Sequence, residues 1–167
     1  HAFAHILYKG LLFMAMGAVL YRTGTTKASE LGGLHRTMPW TTVFCIIGGM
    51  SISAFPLFSG FAAKSLIASA AGYEQMAIVT FVLLFASAGV MEHSGIKIPF
   101  FAFFAHDSKF IATAKEAPKN MIWAMSLSAV LCVLIGCFPQ AFYSMLPWEM
   151  DYTPYDTTHV LTQLQLL

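Results

Sequence analysis

The sequence predicts an all-α integral membrane protein, a bundle of about four transmembrane helices. Three observations carry this. Apolar residues fill 57% of the 167 positions and charged residues only 10%, where a typical soluble domain carries about 25% charged. Four apolar runs approach or exceed the roughly 20 residues that a bilayer crossing needs. Those runs are continuous, whereas a transmembrane β-strand alternates with period two. The same composition excludes other classes. A net charge of +1 leaves no basic surface for nucleic-acid phosphates and no charge excess to hold the chain disordered.

The first run, 2–21, is interrupted only by His5 and Lys9. The second, 40–72, holds one charge, Lys64, and is too long for one straight crossing. Pro56 lies in its middle, followed by Ser59 and Gly60. Proline removes a backbone donor and clashes with the preceding turn, so this helix is expected to break over 56–60. Backbone freed in that way is tolerated only where protein or a water-filled cavity covers it. Discontinuous helices often line ion or substrate sites; a kinked helix without a role is the plainer alternative. The third run, 75–91, and the fourth, 120–148, carry no Asp, Glu, Lys or Arg.

Charge between the runs sets orientation. Segment 22–36 contains Arg22, Lys27 and Arg36; segment 92–119 contains Lys97, Lys109, Lys115 and Lys119. Two crossings separate them, so they share a side. The opposite side receives Glu74, Glu149, Asp151 and Asp156, and no Lys or Arg. The excess of Lys and Arg assigns the two basic segments to the cytoplasm and 149–167 to the other side. A multi-pass protein of the plasma (inner) membrane is expected. The apolar stretch 98–105 is too short to cross and is expected to lie along the interface or against a partner protein. Trp40, Trp123, Tyr143 and Trp148 fall near span ends, as interfacial aromatics do. Cys45, Cys132 and Cys137 show no metal-ligand spacing and read as buried thiols. The chain starts at His1 and stops at Leu167 within apolar sequence, and is read as a single transmembrane fragment of a longer protein.

Lys9 and Lys64 sit inside apolar runs. A charge near mid-bilayer costs about 2.5–3.5 kcal/mol on insertion scales, so each lysine needs a reason. Snorkelling to the headgroups is the bland one. For Lys9 about a dozen apolar residues follow before Arg22, and for Lys64 the neighbouring break favours a polar interior. His1, His5 and Lys9 are spaced four apart, which puts them within roughly 80° of arc on one helix face. Three titratable groups stacked inside a membrane form a proton relay in outline, since histidine titrates near neutrality. A His-xxx-His pair could also bind a metal, but no third ligand is near in sequence, so no metal is expected. Other titratable residues, among them His35, His93, His106 and Asp107, read as surface groups; Glu74 and His159 could sit at an exit.

The stretch from His1 to Phe13, HAFAHILYKGLLF, resembles the "HAxxHAxxKxxLF" helix of the antiporter-like proton-conducting family. That family includes the large membrane subunits of respiratory complex I and the Mrp-type cation/proton antiporters. Leu31-Gly32-Gly33-Leu34 and Met38-Pro39 resemble its next loop, and Phe55 to Lys64 resembles its broken helix, "PPxSGFxSK". The segments 95–108 and 154–167 most resemble the D-type branch of the Mrp antiporters. Ala54 stands where many members carry glycine, Leu57 replaces the second proline, and Ala63 replaces a serine.

The resemblance implies a piece of a larger antiporter-like helical fold, without the half that carries the first part of the proton route. It implies Lys9 as the central lysine, His1 and His5 as the bridge along a hydrated axis, and Lys64 as the terminal lysine. Implied partners are protons, Na+ or K+, other membrane subunits and the lipid bilayer. Three readings stay open. One is a proton-conducting subunit of a cation/proton antiporter. Another is the same fold within an NADH:quinone oxidoreductase. The last is a structural subunit with inert lysines. No cofactor ligands or catalytic groups are apparent, so any redox chemistry would belong to partners.

Overall fold

The computed structural model describes residues 1–148 and 151–165, and every regular element among them is helical. Helix α1 (Ala2–Thr23) has 22 residues, about 33 Å at 1.5 Å per residue, enough for a hydrocarbon core of about 30 Å. It ends at Gly24, whose φ of 72° lets its amide bond the Leu20 carbonyl at 2.8 Å, a left-handed cap that glycine adopts without a Cβ clash. Its buried side chains Ala4, Tyr8, Leu11, Ala15 and Ala18 recur every three or four residues, the spacing of one helix face. That face packs on α2 (Pro39–Ile52), α3 (Ser59–Tyr73) and α5 (Lys119–Cys137), so α1 is the centre of the bundle. Gly48 permits the closest part of the α1–α2 approach, because a Cβ there would lie 2.9 Å from Leu12 Cγ. Small residues serve membrane helix pairs in this way.

The second run is two helices. With 14 and 15 residues, α2 and α3 are each about 21–23 Å long, so only together do they make a crossing. The chain between them, 53–58, is the break, and Ser59 and Gly60 already belong to α3. Gly60 serves close packing rather than flexibility: a Cβ on it would run into the Ser51 carbonyl.

Helix α4 (Ala77–Val90) leans mainly on α3 and buries none of its residues. Its path continues through two wide, π-type stretches, Met91–Lys97 and Phe100–Phe104, to give 28 continuous helical residues. The sequence suggests a loop from 92 and an interfacial stretch at 98–105; the helix instead runs to Phe104. Pro99 falls between the wide stretches, where the ladder is already rearranged and a missing donor disturbs little. Gly95 presses on the end of α2, where a Cβ would meet Ser53 Oγ. The fourth run is also shorter than it reads. α5 stops at Cys137 and Pro139 opens a short α6 (Pro139–Tyr143). Helix α7 (Thr157–Gln165) then follows. The paths Ala2–Thr23, Ala77–Phe104 and Lys119–Cys137 are each long and apolar enough to cross a membrane.

The loops 24–38 and 105–118 meet at one end of the bundle. His35 Nδ1 lies 2.8 Å from the Phe103 carbonyl, Arg36 pairs with Asp107 at 3.5 Å, and Ser108 Oγ donates to the Gly32 carbonyl at 2.8 Å. The Glu116 carboxylate accepts from the Trp40 amide at 2.7 Å and the Thr41 hydroxyl at 2.6 Å. It thereby holds the N-terminus of α2, where a negative charge is favourable. Within this end, the Thr25 hydroxyl and then Lys27 hold the Glu30 carboxyl below the usual carboxylate range.

Two single-residue expectations fail. Tyr143 is buried, not interfacial, and donates to the Ala62 carbonyl at 2.7 Å; a hydroxyl inside needs such a partner. Cys137 is exposed, while Cys45 and Cys132 are buried, because Cys137 is the last residue of α5 before its turn. Trp40, Trp123 and Trp148 are exposed; Glu149 lies outside the described residues.

Gly136 of α5 lies against the break, where a Cβ would run into the Leu57 carbonyl and the Phe58 amide. Gly136→Ala should lower stability by about 1–3 kcal/mol. Gly89→Ala, in open space on α4, should hold it or raise it by up to about 1 kcal/mol, since alanine is the better helix former. Thermal unfolding of the solubilised full-length protein measures both.

Candidate functional site

The break is built from backbone groups that the protein itself satisfies. Pro56 biases Phe55 away from helical geometry, and Ala54 and Leu57 take left-handed backbone, with φ of 59° and 73°. For residues other than glycine this costs about 1–2 kcal/mol each. The Phe55 amide bonds the Met50 carbonyl at 3.0 Å and the Phe58 amide bonds the Phe55 carbonyl at 3.2 Å. The Leu57 amide donates to the Tyr155 hydroxyl at 3.1 Å, and that hydroxyl donates to the Gly136 carbonyl. Tyr155 thus ties the break to α5. Ser51 and Ser59 flank the break with buried hydroxyls that have no partner among the described residues.

Lys64 lies on α3 a turn and a half past its start. Its Nζ donates to the Ile52 carbonyl at 2.6 Å and lies 3.4 Å from Ser87 Oγ on α4. Ile52 is the last residue of α2, and the final carbonyls of a helix have no partner within it. A cation at that end is also favourable to the helix dipole. The lysine head therefore points to the break. Beside it lies a half-open cavity of about 270 Å³ with a mostly apolar wall that includes Leu84 and Val90 and with Lys64, His1, Ser87 and Gln163 as its polar members.

His1 and His5 stack with ring centroids 5.7 Å apart, and His5 meets the edge of buried Tyr8 at 5.3 Å. His5 and Lys9 line a groove of about 640 Å³ with Gly10, Phe13 and Ile98. The two lysines do not share a hollow. They are joined in order through the histidines: Lys9 and His5 on one groove, His5 against His1, His1 and Lys64 on one cavity. Among the described residues, no three His, Cys, Asp or Glu side chains converge as a metal would need.

The sequence reading missed Tyr155, Gln163, Ser87 and Glu116. Tyr155 and Leu57 are 98 residues apart, and no local pattern announces such a pairing. Gln163 did leave a trace, since it follows His159 by four residues and so shares its helix face.

With this geometry in place, comparison with known proteins becomes decisive. A family described as "NADH:quinone oxidoreductase/Mrp antiporter, TM" matches residues 1–92, more than half of the chain and all of α1 to α4. The chain belongs to this family. It is similar to hydrogenase-4 component B of Escherichia coli (strain K12), 35% identical over 146 aligned positions that cover 81% of this chain and 22% of that protein. It is similar to a subunit of the Na(+)/H(+) antiporter of Bacillus subtilis (strain 168), 34% identical over 172 aligned positions, gaps included, that cover 90% of this chain and 20% of that protein. Among solved structures, the membrane-bound sulfane sulfur reductase, an archaeal respiratory membrane complex, matches with a TM-score of 0.73 at 30% identity. That match covers 81% of this chain and 22% of that one. The chain thus spans about a fifth of the length of these family members. It is a multi-pass membrane protein of the antiporter-like family, and both lysines, both histidines and the break fall within the matched part.

Tyr155→Phe leaves the Leu57 amide and the Gly136 carbonyl without their shared partner. The Leu57 amide is exposed and the Gly136 carbonyl half-buried, so the loss is that of ordinary hydrogen bonds, about 0.5–1.5 kcal/mol each; this variant should lower the melting temperature of the full-length protein modestly, with helix content unchanged by circular dichroism.

Proposed function

We propose that this chain carries protons along Lys9, His5, His1 and Lys64 as one part of a multi-subunit monovalent cation/proton antiporter. The observation that supports the reading is the succession of neighbours Lys9, His5, His1 and Lys64, with a hollow beside each lysine. Water in the groove would link Lys9 to His5, and water in the cavity would link His1 to Lys64. A neutral imidazole accepts a proton on one nitrogen and gives one up from the other; the two stacked rings share no N–H···N bond, so water at their edges would carry the proton between them along α1. The Ile52 carbonyl and Ser87 hydroxyl hold the Lys64 head between transfers. In this reading the protein sits in the plasma membrane with the 22–36 and 92–119 segments on the cytoplasmic side, and other membrane subunits complete the route.

The name of the Bacillus relative supports the antiporter setting. A second reading keeps the same pathway but drives it by redox chemistry in partner subunits. The hydrogenase component and the archaeal respiratory complex favour that one. Proton uptake that follows an Na+ or K+ gradient supports the first; uptake that needs an electron donor supports the second.

The pathway itself is tested in liposomes holding the full-length protein in its complex, under an imposed membrane potential, with a pH dye inside. Lys9→Ala and Lys64→Ala should each cut proton flux by about tenfold or more, a barrier rise of at least about 1.4 kcal/mol. Unchanged flux in both would leave only a structural role.

A further inference from the structure

The bonds that Lys64 makes do not use up its donors. Its Nζ donates to the Ile52 carbonyl at 2.6 Å and to Ser87 Oγ at 3.4 Å. An ammonium carries three N–H groups, so one is left over, and Lys64 lines the cavity. Ser87 accepts in its bond with Lys64 and so keeps its own hydroxyl proton to give. Both partners of the ammonium are neutral. The ion pairs among the described residues are Lys27–Glu30, Arg36–Asp107 and Glu92–Lys97, and none of them includes Lys64. A cation within a membrane bundle thus stands without a counter-ion, where pairing is the rule.

The remaining wall has the opposite character. Ile67 on α3 and Leu83, Leu84 and Val90 on α4 line the same cavity. Gln163 reaches it from α7, but its amide already donates to the Ser53 carbonyl at 3.4 Å. A mostly apolar wall with a few fixed polar groups is the pattern of a site for a small organic molecule. The volume of about 270 Å³ lies just below the usual range of such sites, which suits a short chain. The two donors, Nζ and the Ser87 hydroxyl, are neighbours, so one ligand group can meet both. A cationic head would be repelled there, and a wholly apolar molecule would leave both donors bare. An inorganic anion would give up its water and leave the apolar wall uncovered.

We propose that this cavity binds a short fatty-acid-type carboxylate, with its head on Lys64 and Ser87 and its chain along Ile67, Leu84 and Val90. The carboxylate accepts from the unspent N–H of Lys64 and from the Ser87 hydroxyl. The Lys64 bond to the Ile52 carbonyl is kept, so the ligand fits without disturbing the break. The charge on the ligand supplies the counter-ion that the chain does not. No covalent bond changes and no proton moves. The site rests on the cavity itself and holds whether or not protons pass through Lys64.

The test is equilibrium binding of radiolabelled octanoate to the full-length protein in its complex, held in lipid nanodiscs near neutral pH, where a carboxylic acid is ionised. Wild type should show a saturable component that unlabelled octanoate displaces and octyltrimethylammonium does not. Lys64→Gln keeps a donor for the Ile52 carbonyl but has no charge, and should weaken that component by about tenfold or more. Leu84→Trp keeps the lysine and fills the cavity, and should weaken it as much. The amount of assembled complex is measured beside each variant. Absence of a saturable component in wild type, or displacement by the cation, would overturn the proposal. So would wild-type binding in Lys64→Gln, which would place the octanoate elsewhere in the complex or in lipid, and so would wild-type binding in Leu84→Trp, which would take its chain out of this cavity.

Discussion

A carbonyl released from a helix inside a membrane finds no partner in lipid, so the protein has to supply one, from its own groups or from water it encloses. The bond from Lys64 Nζ to the Ile52 carbonyl, at 2.6 Å, is that supply, and much of the structure is arranged about it. It ends α2 with a cation where the dipole favours one. It also gives an intramembrane lysine an oxygen to hold, which lowers the cost of having it there. The break and the lysine answer each other: without the break no carbonyl would be free, and without the lysine the carbonyl would be left bare.

Other parts keep that arrangement in place. Gly60 and Gly136 bring α3 and α5 against the broken backbone at distances that no Cβ would allow. Tyr155 bonds the break on one side and α5 on the other, and Tyr143 anchors the turn after α5 to the Ala62 carbonyl of α3. The left-handed residues Ala54 and Leu57 are held by this surround. At the other end of α2, Glu116 does for the free amides what Lys64 does for the free carbonyl. Both termini of this short helix are thus met by side chains distant in sequence, a carboxylate at its start and an ammonium at its end.

How much of this the sequence reveals follows from what is local. The bundle class, the break near Pro56 and the conspicuous lysines can be read, because length, apolar runs and a misplaced charge are properties of a few neighbouring residues. The stripe of His1, His5 and Lys9 can be read from helical spacing alone. The continuation of α4 to Phe104 cannot, because the charge-free run ends before Glu92 and Lys97 while wide helical turns pressed on α2 keep the path going. Tyr143 looks interfacial until α3 lies beside it. The partner of Lys64 could not be named either: Ile52 is apolar, and its part is played by a backbone atom that every residue carries. The tail contacts of Tyr155, His159 and Gln163 depend on where α7 folds back, which no spacing encodes.

Lys64 holds the Ile52 carbonyl and, in the proposed pathway, also carries a proton, and Lys64→Arg separates the two roles. Arginine keeps a charged donor for the carbonyl but does not give up its proton at any ordinary pH. Proton flux under an imposed potential, measured beside the amount of assembled complex, is the decisive reading. The expected result is a complex that assembles as the wild type does and conducts about tenfold less or worse. Wild-type flux through the arginine variant would contradict the proton-carrying role.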